Sequence, residues 1–587
     1  MTNPMFRSKF SEDIFNQKYR HDGCETWERL CSTLVEDVMG NKATKDEKDQ
    51  LIEYMVDLKF IPGGRYLYYA GREHKFFNNC FLLKAEEDTR EDWAELSKKV
   101  ELCLSTGGGI GVDYSIYRPR GSLLRGTGGI ASGPIPKMQM VNDQGRGVIQ
   151  GGSRRSALYA SLNWQHEDIP KFLTAKNWYD KKVAGTNKSL GDLREADFNF
   201  PVPLDHTNIS VNYDTKWVEN YWDSNDVGDI FRKNIKQALS TGEPGFSFTK
   251  WVENYWDSND VGGIFRKNIK QALSTGEPGF SFNFWKKEEE TLRNACTEVT
   301  SIDDSDVCNL GSINIGRIDS LKEFKSIVEL AIMFLLCGTL VAKLPYEKVA
   351  DVREKNRRLG LGLMGIHEWL IKRGKKYEVT GELHRWLSIY KGVSDSTSSK
   401  YADLLSVSHP VANRAIAPTG SIGILGGTTT GIEPLFSVAY KRRYLKGTEW
   451  HYQYVVDGVA QEMLQNYGVN PNDLDTSMSL VADPKRRLNF QADVQDYVDM
   501  AISSTINLPK WGTINNTEDN VDDFTKLLAS YAHRLRGFTC YPDGCRGGQP
   551  LVAVDYKEAV KKLGKEFEEH IEITDVCDIK SGESCGS

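Results

Sequence analysis

The chain has no excess of positive charge. Its 74 lysines and arginines stand against 81 aspartates and glutamates, a net charge of −7 over 587 residues. No global basic field therefore draws it to nucleic acid. An anionic substrate would have to be held locally, by backbone amides, helix N-termini and a few arginines. No apolar run reaches the length expected of a bilayer-spanning helix. The N-terminus, MTNPMFRSKFSEDIF, lacks the apolar centre of a secretion signal. Both absences point to the cytosol. The glycine-rich stretch STGGGIGVDYS (105–115) lacks the Gly-Lys-Ser/Thr ending of a P-loop. It also lacks the strand–helix unit and distal acid of a dinucleotide fingerprint. An odd number of cysteines, 11, without a secretion signal argues against a structural disulfide framework.

What is present is ordinary globular material, 40% hydrophobic and 26% charged. The length allows one large domain or two to four smaller ones. Residues 1–75 read as mostly helical, with DEKDQLIEYMVDL (46–58) the clearest amphipathic stretch. Ile61-Pro62-Gly63-Gly64 breaks that pattern. HKFFNNCFLL follows as an extended run around Cys80, then the three consecutive glycines. RPRGSLLRGTGGIASGPIPK and DQGRGVIQGGSRRSALYASLNWQHEDI read as a long Gly/Arg/Ser loop region, and loops this long tend to be functional. Residues 216–248 and 250–282 are a tandem repeat that differs only at Asp229 versus Gly263. Two copies do not make a solenoid, so a duplication within one element is expected, with the second copy in the fold. SIVELAIMFLLCGTLVA reads as a buried helix that holds Cys337 as packing, and NRRLGLGLMGIHEWLIKRG as a further helical stretch. Cys24, Cys31 and Cys103 have no chemical neighbours in sequence. The last forty residues are polar, helical to about Glu569, and end in Cys577 and Cys585 on a tail.

The chemistry concentrates in Asn294-Ala295-Cys296-Thr297-Glu298, with Cys308 downstream. If this stretch is extended, positions i, i+2 and i+4 share a face. An amide, a thiol and a carboxylate then point into one space, able to bind a hydroxylated substrate, move a proton and perform sulfur chemistry. Pro418-Thr419-Gly420-Ser421 offers hydroxyls and amides suited to phosphate. A structural alternative groups Cys540, Cys545, Cys577 and Cys585 as a zinc site.

Taken together, N-x-C-x-E, the later C-N-L-G-S, QGGSRRSA, A-P-T-G-S through G-I-E-P, and N-R-R-L-G-L-G-L-M-G resemble, in order, the catalytic subunit of ribonucleotide reductases. The resemblance spans roughly 60–550. It is strongest to the adenosylcobalamin-dependent class, through GGGIGVDYS, GGIASGP and FTCYPDG…RGGQP. It implies a ten-stranded α/β barrel of two five-stranded halves, with a finger loop that carries the central cysteine. The expected layout is an N-terminal helical segment (1–75), the barrel (76–550) and a C-terminal helix with a redox tail (551–587). It also implies roles. Cys296 would be the transient thiyl radical, Glu298 the general base on the 3′-hydroxyl, and Asn294 the group that holds the substrate. Cys80 and Cys308 would donate electrons and close into a disulfide. Cys577 and Cys585 would reopen it by exchange and be re-reduced by thioredoxin or glutaredoxin. Asn79, Gly107 and Gly108 would lie by the ribose, and Thr419, Gly420, Ser421 and Ile422 by the phosphates. Gln150, Gly151, Gly152, Ser153 and Arg154, with Asp88 and Arg118, would read dNTP or ATP effectors. No metal-ligand set is expected at the reaction centre.

Two departures stand out. The family has Pro and Gly where this chain has Ala295 and Thr297, and it has one copy of the repeated segment. Both side chains are expected to face away from the chemistry. Of the family's radical sources, the paired tyrosines of the oxygen-dependent class reduce here to Tyr541, and no glycyl-radical motif is found. Adenosylcobalamin remains. The alternative is an oxygen-dependent type of large subunit that needs a separate radical-generating partner. A homodimer is slightly favoured.

Overall fold

The computed structural model describes residues 5–568 apart from 127, 151–153, 198–199, 223–260, 447–448, 471–472, 514–515 and 544–550. The chain forms two compact units, one of residues 1–435 and 475–547, the other of residues 436–474 and 548–587. The N-terminal segment is mostly helical, and its helices share one core with residues far downstream.

The first unit is an α/β fold built on a ten-stranded sheet. Five strands run parallel in succession: β1 (Cys80–Lys84), β2 (Gly109–Asp113), β3 (Leu158–Asn163), β4 (Thr207–Asp214) and β5 (Gly279–Asn283). Helices Arg90–Ser105 and Pro134–Gly147 make the first two crossovers. Such strands are covered on both faces and lose the polar/apolar alternation that marks a half-exposed sheet. That is why LYASLN, read above within a loop region, is a core strand. The helix in the same region starts on Pro134, whose missing N–H costs nothing in the first turn.

At one edge, β6 (Asp306–Asn314) pairs antiparallel with β1 and with a short strand, Phe60–Pro62, and parallel with β7 (Leu359–Met364). All nine positions of β6 are buried. At the other edge, β9 (Gly537–Pro542) pairs antiparallel with β5 and parallel with β8 (Thr505–Leu508). Isolated parallel bridges join Leu361 to Arg414 and Ile416 to Ile502, three residues before β8.

The stretch RLGLGLMG is therefore a strand, not the expected helix; the helix begins only at Ile366. A Cβ at Gly360 would lie 2.9 Å from the Cys308 sulfur, and one at Gly362 would lie 2.7 Å from the Ala415 carbonyl. The alternate glycines let β7 sit tightly against its neighbours. The C-terminal part also differs from expectation. After helix Tyr556–Lys562 the chain forms a strand, Glu566–Glu568, in the four-stranded sheet of the second unit.

Helix Leu321–Val341 is long and apolar enough, by length and composition, to cross a membrane, unlike what the sequence pattern predicts. It is the central helix of the core, packed with helix Gly381–Leu404, and Cys337 is buried among its apolar residues. Of the duplication, the described parts come from both copies. Helix Thr215–Trp222 opens the first copy, whereas helix Val261–Thr275 and β5 close the second. Residues 223–260, including the first copy's expected helix, lie outside the described residues.

Candidate active site

A small hairpin sits inside the first unit. Leu292–Arg293 pairs antiparallel with Thr300–Ser301, and Asn294–Val299 form its tip. This tip is a tight turn, not the extended stretch expected. The Thr297 N–H donates to the Asn294 carbonyl at 3.0 Å, and the Val299 N–H donates to Asn294 Oδ1 at 2.9 Å. The turn, not strand alternation, brings the Asn294, Cys296 and Glu298 side chains to one cavity.

The tip is held from several sides. Buried Arg293 donates to Asn283 Oδ1 at 2.7 Å and to the Thr297 carbonyl at 3.4 Å. Asn208 donates to the Ala295 carbonyl at 3.3 Å, and the Ala501 N–H to the Glu298 carbonyl at 2.8 Å. The glycines of GGGIGVDYS make room for this hairpin. A Cβ at Gly111 would lie 1.6 Å from the Arg293 carbonyl oxygen, and one at Gly109 would lie 3.1 Å from the Ala295 methyl. Ala295 thus packs against β2 and lines the cavity, so only Thr297 of the two departures stands apart from it.

Thr297 adopts φ +70°. A β-branched side chain in that left-handed region is strained, and glycine is the residue that adopts it without penalty. Thr297→Gly should raise stability by about 1 kcal/mol through relief of this strain, partly offset by backbone entropy. Denaturant unfolding checks this; a less stable variant would mean that the turn is not strained.

Cys80 and Cys308 are direct cross-strand partners on β1 and β6. Residues opposed in this way have Cα atoms about 4.5–5.5 Å apart, within the span of a disulfide. Both thiols are buried and free. Burial pushes both well above the ordinary thiol pKa, with Glu298 a lesser cause at each. They are therefore protonated at neutral pH. Asn294 Nδ2 donates to the Cys80 sulfur at 2.8 Å, and the Cys80 thiol faces Glu298 Oε1 at 3.9 Å. Cys296 is half-exposed, unlike these two.

The cavity has a volume of about 360 Å³. One wall carries Asn294, Cys296, Glu298 and Cys80, and Asn79 and Ser312 also line it. Thr419, Gly420, Ser421 and Ile422 line it too, at the start of helix Gly420–Gly426. Thr419 Oγ1 accepts from the Gly431 N–H at 2.9 Å, which fixes the turn.

Gly107 and Gly108 do not line the cavity. A Cβ at Gly107 would meet the Arg65 guanidinium, and one at Gly108 the Phe81 ring. Their close approach is to protein, and Gly109 is the glycine of the triplet that faces the cavity.

Asp88 and Arg118 pair with each other at the surface through a side-chain ion pair, and the Arg118 guanidinium also donates to the Asp88 carbonyl at 3.0 Å. Gln150 and Arg154 face each other across a two-residue ladder; Gly151, Gly152 and Ser153, between them, lie outside the described residues. So do Cys545, Cys577 and Cys585. Cys540 is buried in β9, its thiol 3.3 Å from the Ala272 carbonyl. Among the described residues no cluster of His, Cys, Asp and Glu could hold a metal. Sequence reading missed Lys18, Tyr19, Arg65 and Tyr68, which also line the cavity. No local motif marks them, because they come from the helical segment that carried no chemical pattern.

The ribonucleotide reductase barrel domain matches residues 78–385 and 411–541, a span that takes in the hairpin, both paired cysteines and the Thr419 turn. The vitamin B12-dependent ribonucleoside-diphosphate reductase of Mycobacterium tuberculosis (strain CDC 1551 / Oshkosh) is 27% identical over 92% of this chain and 78% of its own length. The enzyme of the same name from Thermoplasma acidophilum is 26% identical over 90% of this chain and 70% of its own. The ribonucleoside-diphosphate reductase subunit alpha of Synechocystis is 25% identical over 52% of this chain and 41% of its own. With the matched domain covering most of its length, the chain belongs to the ribonucleotide reductase family.

Proposed function

We propose that the chain reduces ribonucleotides to 2′-deoxyribonucleotides by thiyl-radical chemistry, with the radical drawn from adenosylcobalamin. One observation carries this reading: Asn294, Cys296, Glu298 and Cys80 meet at one cavity, and Cys308 stands opposite Cys80. The cysteines divide by exposure. Cys296 is half-exposed and can be reached from outside, whereas Cys80 and Cys308 are buried, as suits a pair kept from stray oxidation. Adenosylcobalamin, when bound, supplies a homolysable cobalt–carbon bond as the source of the radical at Cys296.

The Cys296 sulfur takes the 3′-hydrogen of the ribose. Glu298 takes the 3′-hydroxyl proton. The 2′-hydroxyl then leaves as water with a proton from the thiol pair. Counting that proton, Cys80 and Cys308 give two electrons and two hydrogens in all, one into water and one to C2′, and become a disulfide; Glu298 returns its proton to the 3′-oxygen, and Cys296 returns the hydrogen to C3′. The sum is ribonucleotide plus dithiol to deoxyribonucleotide, water and disulfide. Asn294, bonded both to Cys80 and to its own turn, holds the substrate edge and the thiol in register. Thr419, Gly420, Ser421 and Ile422 hold the phosphates. Asp88, Arg118 and the 150–154 loop serve dNTP or ATP effectors. Cys577 and Cys585 relay electrons from thioredoxin or glutaredoxin.

The sheet itself closes, in this reading, into a barrel of two parallel halves. β1–β5 form one half. β6, β7, the 414–416 segment, the strand that runs from 502 into β8, and β9 form the other. The antiparallel β6/β1 and β9/β5 pairs and the isolated bridges support this closure.

The test is reduction of a ribonucleoside diphosphate by the pure chain with adenosylcobalamin and a dithiol. Product without a second protein is expected. Activity that appears only with an added radical-generating subunit would favour the oxygen-dependent type.

A further inference from the structure

The cavity has a wall that no catalytic motif supplies. Lys18 ends helix Lys9–Lys18, lines the same cavity as Cys296, and donates from Nζ to Ser421 Oγ at 3.2 Å. Its position is built. Ser8 caps the helix by accepting from the Ser11 N–H at 3.1 Å, and the Ser11 hydroxyl donates to the Ile424 carbonyl at 2.6 Å. Just before the helix, Arg7 forms an ion pair with buried Glu368 at 2.6 Å and donates to the Gly427 carbonyl. Thr428 and Lys372 bond the same carboxylate. The helix is thereby fastened to Gly420–Gly426 at several points, and its last residue is carried to the cavity.

Among the described residues that line this cavity, Lys18 and Arg65 are the cationic side chains and Glu298 the acidic one. The two cations differ in setting. Arg65 is buried beneath Gly107, whereas Lys18 is exposed beside Ser421. A substrate with two or more phosphate charges entering a cavity that already holds a carboxylate needs a compensating cation within reach. A lysine acts there as a flexible point charge with three donors.

We propose that Lys18 is a direct ligand of the substrate's phosphates, so that the N-terminal helix forms part of the nucleotide site. This rests on the ribonucleotide reading of the cavity. Lys18 gives up its bond to Ser421 Oγ, or shares it, and pairs with a phosphate oxygen held at the Thr419–Ile422 turn. It takes no part at the ribose, so it governs affinity for the charged end and not the chemical step.

Lys18→Ala in the full chain should raise KM for a ribonucleoside diphosphate about tenfold with kcat within about twofold, as the loss of one charge-assisted contact to a phosphate predicts. Calorimetry should show weaker binding of ADP by a similar factor and unchanged binding of adenosine, and Lys18→Arg should restore most of the ADP affinity. An unchanged ADP affinity in Lys18→Ala overturns the proposal. So does an equal loss for adenosine, which would make the residue structural. If the wild-type chain reduces no ribonucleotide, the functional reading fails, while the comparison of ADP with adenosine still decides the role of Lys18.

Discussion

Cys296→Ser is expected to abolish deoxyribonucleotide formation while substrate still binds. The substitution is nearly isosteric, at a half-exposed position on a turn whose carbonyls accept from the Asn208 side chain and the Ala501 N–H. Arg293, Asn208 and Ala501 hold the hairpin and Gly431 bonds the Thr419 turn, so affinity for a ribonucleoside diphosphate should stay within about twofold, a change of under 1 kcal/mol. The chemistry does depend on it. A thiol S–H bond is weak enough to exchange hydrogen with a ribose C–H bond, whereas the O–H bond of serine is far stronger. Each added barrier of about 1.4 kcal/mol costs tenfold in rate, so turnover should fall below detection. Product analysis of the radical-initiated assay, with binding measured separately, checks both halves. Sustained turnover by Cys296→Ser would refute the thiyl reading outright.

The second large effect is at the cysteine pair. Chain carrying both Cys577→Ser and Cys585→Ser, given substrate without an external dithiol, should form about one product per chain and a Cys80–Cys308 disulfide, since the pair holds two electrons and no relay can reopen it. Cys80→Ala or Cys308→Ala should lose this product. The physical basis is register: β1 and β6 set the two residues face to face, and burial keeps both thiols protonated. Peptide mass mapping after a single turnover reads the bond directly. A disulfide that instead joins Cys296 to either residue, or multiple turnovers by either variant, would remove Cys80 and Cys308 from the electron path. Both alanine variants leave a small cavity in the core. Retained Cys296 exposure and a cooperative melt are the controls that separate lost chemistry from lost fold.

The two variants ask different things of the same site because its three thiols differ in setting and not in kind. Cys296 stands on a turn that the hairpin presents to open space. Cys80 and Cys308 lie in a cluster with Leu82, Leu292, Val299 and Leu310, closed off by Ala412, Ala415 and Met500. The same environment raises their pKa, so few of either thiol are ionised at neutral pH. The hairpin carries Cys296 into the cavity, and the sheet supplies Cys80 beside it with Cys308 opposite Cys80.

Legibility in the sequence followed the range of the interaction. The members of the Asn294–Glu298 cluster are neighbours in the chain, so their convergence could be read, although the reason was wrong: a turn with Thr297 at positive φ does what an extended strand was expected to do. The parallel strands were poorly legible. LYASLN and LGLGLM are buried on both faces, and neither shows the alternation by which a half-exposed strand is recognised. The roles of Gly109 and Gly111 could not be assigned at all, because the backbone that crowds them belongs to the hairpin far downstream.

The sequence by itself determined the reagents: an amide, a thiol and a carboxylate within five residues, a hydroxyl-rich turn at Thr419, and enough apolar material to bury them. Only the tertiary structure decided that Cys80 faces Cys308, that Gly109 and not its two predecessors borders the cavity, and that a lysine from the first helix reaches the far wall. Local spacing fixes what a short segment can present. Which distant segments meet is set by strand register and by the shared burial of their apolar faces, and neither is written in any one stretch of the chain.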